Sequence, residues 1–383
     1  MRHDPVPWVI AATLAVGLLA APWGQMREGR TRPEQQVGDV LGGGGAGFAR
    51  VTGPRPFEFP QDHGPHPDHR SEWWYITGNV TDQRGRAYGF QFTLFRFALA
   101  ANMPSRESSW ATRQAWMGHF ALTDVASGRH VASERLQRGA LGLAGVETRP
   151  FRAWLDDWSL ASLPAPGEGG LFPLRLETAI DGSAVELTLR AAKPKVLQGK
   201  AGYSQKGAEP DDASHYYSYT RLEAEGRLRT ANAWRDVTGS AWLDREWSTS
   251  ALADDQAGWD WLALQFDDGR DVMVYRLRRD DGTTDPASYG VVVGPDGAAD
   301  KLGAADFELI PKRYWKSPAT GTRYPVSWRL RVPSASIDAS VTARVDDQLM
   351  DFGFRYWEGS VAVQGVGARP PIEGVGYLEM TGY

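Results

Sequence analysis

Residues 239–248 read Gly-Ser-Ala-Trp-Leu-Asp-Arg-Glu-Trp-Ser and bring two acids, one base and two indoles into one short stretch. In an extended chain, side chains alternate between faces. Trp242, Asp244 and Glu246 then share one face, with Leu243, Arg245 and Trp247 on the other. If the acidic face is buried, the carboxylate loses solvation and its pKa rises. That shift makes an acid usable as a proton donor near neutrality. The same residues also suit a structural strand whose acids pair with Arg245 or with loop donors.

A second group follows the same logic. Residues 214–219 read Ser-His-Tyr-Tyr-Ser-Tyr. If extended, His215, Tyr217 and Tyr219 share a face, where an imidazole beside hydroxyls can relay protons or orient water. An ordinary aromatic strand has the same pattern. The two stretches together suggest a set of His215 and Tyr217 from one strand with Trp242 and Asp244 from another. A third group is Asp62-His63, His66-Pro67-Asp68-His69 and Glu72-Trp73-Trp74-Tyr75. Its density of imidazoles and acids suits zinc or iron. Pro65 and Pro67 rule out a helix that would focus them, and no motif of fixed metal geometry matches. The other reading is a loop over a barrel mouth, with His residues capping backbone groups.

The elements that must carry these groups read as strands. Tyr88, Phe90, Phe92 and Leu94 alternate with small or polar residues, as do Val185, Leu187 and Leu189. Leu262, Leu264 and Phe266, and Val326, Trp328, Leu330 and Val332, repeat the period-two pattern of half-buried strands. Gly turns separate them at Arg84-Gly85, Ser127-Gly128, Asp181-Gly182, Asp268-Gly269, Asp281-Gly282 and Asp296-Gly297. Many short strands at hairpin spacing predict a sandwich or barrel. A weak internal repeat relates 73–82 to 259–268, 119–128 to 290–297, and 217–226 to 356–365. It suggests two copies of one β unit, joined near 227–236.

Composition agrees. The 383 residues suffice for two domains. Gly 43, Pro 24 and 11% aromatic residues suit a turn-rich β protein. The 16 Trp suit apolar pockets, sugars or cations. A net charge of −5 argues against a nucleic-acid partner. With no Cys, thiolate catalysis, zinc–thiolate sites, iron–sulfur clusters and disulfides are excluded. There is no GxSxG elbow, P-loop or dinucleotide fingerprint.

Arg2 and His3 precede an apolar run over 8–21, which ends in the small residues Ala20 and Ala21 and is followed by Pro22. Residues 1–24 therefore read as an export signal, or as an uncleaved N-terminal anchor. The run is shorter than the roughly 20 residues of a comfortable membrane span. Residues 25–50 read as a flexible, partly Gly-rich linker. The body is expected to be periplasmic or secreted, or held at the inner membrane by the uncleaved segment. The predicted domains are 51–228 and 229–383.

Several stretches together resemble the AttH and carotenoid hydratase superfamily, most closely its exported branch, the predicted secreted hydrolases. They are His66-Pro67-Asp68, Glu72-Trp73-Trp74-Tyr75-Ile76-Thr77-Gly78-Asn79-Val80, residues 89–96, residues 241–247, and the ending Gly376-Tyr377-Leu378-Glu379-Met380-Thr381-Gly382-Tyr383. The resemblance covers roughly residues 50–383. It implies an all-β fold of two tandem lipocalin-like antiparallel barrels. It also implies cofactor-free chemistry on an apolar ligand, with an Asp as proton donor to an isolated alkene and a His and aromatic residues nearby. Asp244 and His215 fall on that Asp and His, with Tyr217 and Trp242 on the aromatic positions. Those aromatics stand in the reverse of the hydratase order, and Arg245 replaces a His common in the exported branch.

The expected catalytic set is thus Asp244, His215, Tyr217 and Trp242. Ligand contacts are expected from His66, Glu72, Trp73, Trp74, Tyr75 and Glu246, although Glu246 also reads as a structural partner of Arg245 or a backbone group. Three functions remain open. One is a hydrolase or hydratase acting on an isoprenoid or lipid-like substrate, without cofactor or metal. Another is a non-catalytic carrier of an apolar ligand or lipid, associated with an envelope ABC export system. The third is a carbohydrate-active enzyme, because Asp244 and Glu246 lie about 7 Å apart along a strand, within the spacing of an inverting pair.

Overall fold

The computed structural model describes residues 45–383 except 103–106, 165–169, 251, 254 and 367–371. The segment expected to be a signal or anchor, and most of the linker, lie outside the described residues. Among the described residues no helix is long and apolar enough to cross a membrane. The helices there are two short 3-10 turns, Gln61–His63 and Pro333–Ala335.

The period-two segments form two antiparallel sheets. The first begins with β1 (Ser71–Asp82), β2 (Ala87–Ala98), β3 (Gln114–Asp124) and β4 (Arg129–Arg138). Short strands follow: β5 (Ala144–Thr148), β6 (Phe151–Leu155), β7 (Trp158–Ser162), β8 (Leu174–Ile180), β9 (Ser183–Ala191), β10 (Val196–Leu197) and β11 (Tyr203–Gln205). It ends with two long strands, β12 (Ala213–Thr230) and β13 (Ala233–Ser248). The second sheet contains β14 (Gln256–Phe266), β15 (Asp271–Arg279), β16 (Tyr289–Val293), β17 (Ala299–Gly303) and β18 (Glu308–Lys316). It is completed by β19 (Arg323–Val332), β20 (Ile337–Ala343), β21 (Leu349–Asp351), β22 (Arg355–Gly365) and β23 (Glu373–Thr381).

Their orders match. The first sheet runs β4-β3-β2-β1-β13-β12-β9-β8-β7-β6-β5 and the second β17-β16-β15-β14-β23-β22-β20-β19-β18. Each curls into a nearly closed, lipocalin-like barrel. The internal repeat is therefore structural: β1 corresponds to β14, β3 to β16, and β12 to β22. Strand β12 runs across the predicted boundary at 228/229, β13 lies wholly beyond it, and both belong to the first sheet. The loop after Ser248 is where the chain passes to the second.

Each barrel has its own core, around Phe92, Trp158 and Leu187 in the first and Val326, Trp328 and Leu378 in the second. A third cluster, with Tyr75, Trp242, Trp261 and Tyr377, lies between them. The strands at this junction are therefore buried on both faces, as the pattern along β1 shows. Two amides cross it in matching positions. Asn79 Nδ2 donates to the carbonyl of Gly376 at 3.0 Å, and Gln265 Nε2 to that of Ala241 at 3.0 Å. The two barrels thus pack about an approximate twofold axis.

Candidate active site

Strand alternation decides which side chains meet. Along β13, Leu243 and Trp247 join the first barrel's core, while Trp242 points into the junction between barrels. Asp244 and Glu246 line a cavity there, with about 810 Å³ of space free of protein atoms and open in part to solvent.

The cavity walls come in matched positions from the two sheets. Tyr75 stands opposite Asp244 across β1 and β13, and Trp261 opposite Glu379 across β14 and β23. On β2 and β15, Thr93 pairs with Tyr75 and Tyr275 with Trp261. Tyr216 on β12 corresponds to Tyr356 on β22. Trp73, Phe95, Trp259 and Phe354 add aromatic surface.

Asp244 is 4% exposed. Its Oδ1 accepts hydrogen bonds from Ser218 Oγ at 2.5 Å and Trp242 Nε1 at 2.7 Å, and its Oδ2 from the Tyr216 hydroxyl at 2.7 Å. Each carboxylate oxygen has two lone pairs, so Oδ2 keeps one for a proton. Burial pushes the carboxyl up to about 7 against the opposing pull of its three donors. Desolvation thus wins, and the acid exchanges its proton near neutral pH.

The second barrel contributes two more acids. Glu379 is also raised to about 7 by burial; Trp259 Nε1, donating at 2.7 Å, opposes the rise and the nearby Asp244 charge adds to it. Glu358 lies directly across from Glu379, and burial together with that neighbour pushes it well above the carboxylate range. Glu246 instead accepts from Ser214 Oγ and pairs with Lys206 at 3.3 Å. Burial alone would lower the Lys206 pKa, but Glu246 and Tyr275 reverse this.

The remaining predicted residues sit on the other face of the sheet, inside the first barrel. Glu72 is fully buried between Arg96 and Arg245 and bonds to both. Burial would raise its carboxyl, but the two guanidiniums hold it far below the usual range. Arg245 lies over the Trp74 ring at 3.8 Å, and His66 stacks on Trp247 at 3.8 Å. His66 Nε2 meets Asp62 at 3.0 Å. The Tyr217 hydroxyl meets His63 Nδ1 at 2.7 Å. Phe57 packs edge-on against His215 and Tyr217. Residues 57–69 thus form a plug over the barrel mouth. Among the described residues, no group of three or more His, Asp or Glu side chains is placed to hold a metal.

One expected pairing is therefore corrected. His215 does not reach Asp244, because it and Tyr217 face the barrel interior. The register places Ser218 opposite Asp244 and His215 opposite Trp247. Asp244 and Trp242 do meet, joined by Trp73 and Tyr75, while Glu72, His66 and Trp74 belong to the interior network. Glu246 pairs with Lys206 rather than Arg245. Sequence reasoning passed over Tyr216, Ser218, Glu358 and Glu379. A one-residue bulge in β12 between Tyr219 and Leu222 hid the first three. It shifts the repeat alignment by one, and such a slip exchanges the faces. Glu379 was legible as the counterpart of Asp244, had β13 been aligned with the C-terminal strand.

Two lipocalin-like barrels with an aromatic, carboxyl-lined cavity between them define the class. The chain belongs to the AttH-like family, whose model matches residues 50–383. A crystal structure from Nitrosomonas europaea, described as an AttH, is 33% identical, covers 88% of this chain and 100% of its own, and superposes with a TM-score of 0.77. Kievitone hydratase from Nectria haematococca shares the fold at 16% identity, covering 87% of this chain and 95% of its own with a TM-score of 0.64. CghA does so at 12% identity, covering 88% and 96%, with a TM-score of 0.51. No curated protein matches the chain.

Proposed function

We propose that this protein is a hydratase-like enzyme that adds water to an apolar, unsaturated substrate held between the barrels, with Asp244 as the acid. The observation that carries this reading is the buried Asp244 carboxyl, raised to about 7 and facing an aromatic cavity. A proton leaves Asp244 Oδ2 for one alkene carbon, and the positive charge develops on the other. The π faces of Trp73, Trp259 and Trp261 are suited to stabilise it. Water bonds to the cationic carbon, and its surplus proton passes to the Glu379 carboxylate or back to Asp244. These steps call on no cofactor. A hydrolase acting through the same acid is the nearest variant. One fold neighbour bears the name kievitone hydratase, which agrees with the class of reaction while the likeness itself concerns the fold. The apolar N-terminal run supports placing the protein outside the cytoplasm.

The test is incubation of the purified protein with a panel of isoprenoid alkenes in D2O. Hydration should yield alcohols with deuterium on carbon, and Asp244→Asn should lower their rate of formation by about 10²–10⁴-fold. A ligand that co-purifies and stays unchanged in both proteins would point to a carrier instead.

A further inference from the structure

The proposed chemistry uses Asp244 and Glu379. Two other polar groups of the cavity take no part in it. Tyr75 is 5% exposed and Glu358 1% exposed, and both line the cavity. The Tyr75 hydroxyl and both Glu358 oxygens close no hydrogen bond of ordinary geometry with any described residue, although the hydroxyls of Tyr75 and Tyr356 act on Glu358 at close range and pull its carboxyl down. Buried polar atoms are almost always paired, and leaving one unpaired is unfavourable.

The surroundings decide what these groups can do. His119 Nε2 meets Glu134 at 3.2 Å, and its Nδ1 meets the Tyr356 hydroxyl at 2.7 Å. With the imidazole proton assigned to Nε2 by the carboxylate, Nδ1 accepts and Tyr356 donates to it. The Tyr356 proton is then committed away from Glu358. Glu358 and Glu379 face each other on adjacent strands, so they do not both ionise readily. Trp259 donates to Glu379 and favours its charged form; Tyr75 and Tyr356 pull on Glu358 in the same sense, but burial and the Glu379 neighbour outweigh them. The shared proton is therefore assigned to Glu358, whose carboxyl burial pushes up. Tyr75 and Glu358 are then two O–H donors beside one another on an aromatic wall.

We propose that Tyr75 and Glu358 together bind the carbonyl oxygen of an otherwise apolar ligand. A tyrosine paired with a neutral carboxylic acid holds a carbonyl or enolate oxygen well in an apolar site. This rests on the reading of the cavity given above and narrows its substrate class to unsaturated ketones and aldehydes rather than plain hydrocarbons.

Three probes of one skeleton test it on the full chain: β-ionone, the hydrocarbon lacking its oxygen, and the corresponding primary amine. Binding is read by quenching of the cavity tryptophans, and the β-ionone carbonyl by infrared difference spectroscopy. The ketone should bind about tenfold more tightly than the hydrocarbon, the worth of one good hydrogen bond. Its carbonyl stretch should move to lower frequency on binding. E358Q, which keeps a donor, should retain much of both effects, while E358L and Y75F should lose them. Equal affinity for ketone and hydrocarbon with an unshifted carbonyl overturns the proposal. So does preference for the amine, which would mean that Glu358 binds as a carboxylate. Quenching by none of the three removes the apolar-substrate reading as well. If E358L does not fold, the wild-type carbonyl frequency and Y75F still decide.

Discussion

Asp244 and Glu379 stand at equivalent register positions in two matching sheets, opposite Tyr75 and Trp261 respectively. Both carboxyls are raised to about 7, and the Asp244 charge contributes to the rise at Glu379. Two acids poised at neutrality in one cavity allow one to give a proton while the other receives it. Asp244→Asn should lower turnover of any hydrated substrate by about 10²–10⁴-fold, the usual weight of a positioned general acid. The same substitution removes a negative neighbour from Glu379, so its midpoint should fall below 7. Titration of ¹³C-labelled Glu379 by NMR checks this without a substrate. An unmoved midpoint would show that the two acids do not interact.

The same shifts predict a pH dependence of stability. A carboxyl whose folded pKa exceeds its unfolded value favours the fold while it is protonated. For Asp244 and Glu379 that contribution is complete below the unfolded values, 3.8 and 4.5, and is lost as pH rises through about 7. The histidine contributions are complete above 6.5, so the Tm should fall from pH 6.5 to pH 8. In the Asp244→Asn, Glu379→Gln double variant this decline should flatten. A wild-type Tm that holds level or rises across that window would contradict the assigned shifts.

Much of this was legible in the sequence and some was not. Period two indicated the strands, the repeat of 73–82 in 259–268 suggested two copies of one β unit, and the family resemblance implied that these are two barrels. The faces of β13 also followed from alternation, so the exposure of Asp244 and Trp242 to a common space was readable. The partner of Asp244 was not. Alternation is blind to a bulge, and the extra residue before Leu222 puts Tyr217 and Leu222 on one face despite their odd separation. Burial of β1 and β13 on both faces was equally hidden, because it depends on the second barrel docking against the first. That docking makes Asp244 a cavity acid and leaves His215 in a barrel interior.

The interior network makes a separate prediction. Glu72 bonds to Arg96 and Arg245, and all three side chains are buried. Glu72→Gln would leave two buried guanidiniums without their counter-charge. Breaking such a network by removing one partner costs about 3–5 kcal/mol. Urea unfolding should show a loss of that size. A loss well under that range would mean that water or relaxation compensates the arginines.

The histidines of the first barrel's mouth should govern the acid side of the stability profile. Burial lowers His69 and His215 to about 4 and His63 to about 3, each further depressed by nearby positive charge. A depressed imidazole favours the fold while it is neutral. Its contribution is present above the unfolded value of 6.5 and is lost as pH falls toward the folded value. Stability should thus decline from pH 6.5 down to about 4, opposite in sign to the effect of Asp244 and Glu379. A His69→Gln, His215→Gln variant should flatten this acid limb and leave the alkaline decline intact. It should also leave turnover unchanged, because His215 faces away from the cavity. Thermal melts across pH, with product formation followed in parallel, separate these outcomes. A large loss of turnover in that variant would return His215 to the reaction and refute the assignment of the two faces.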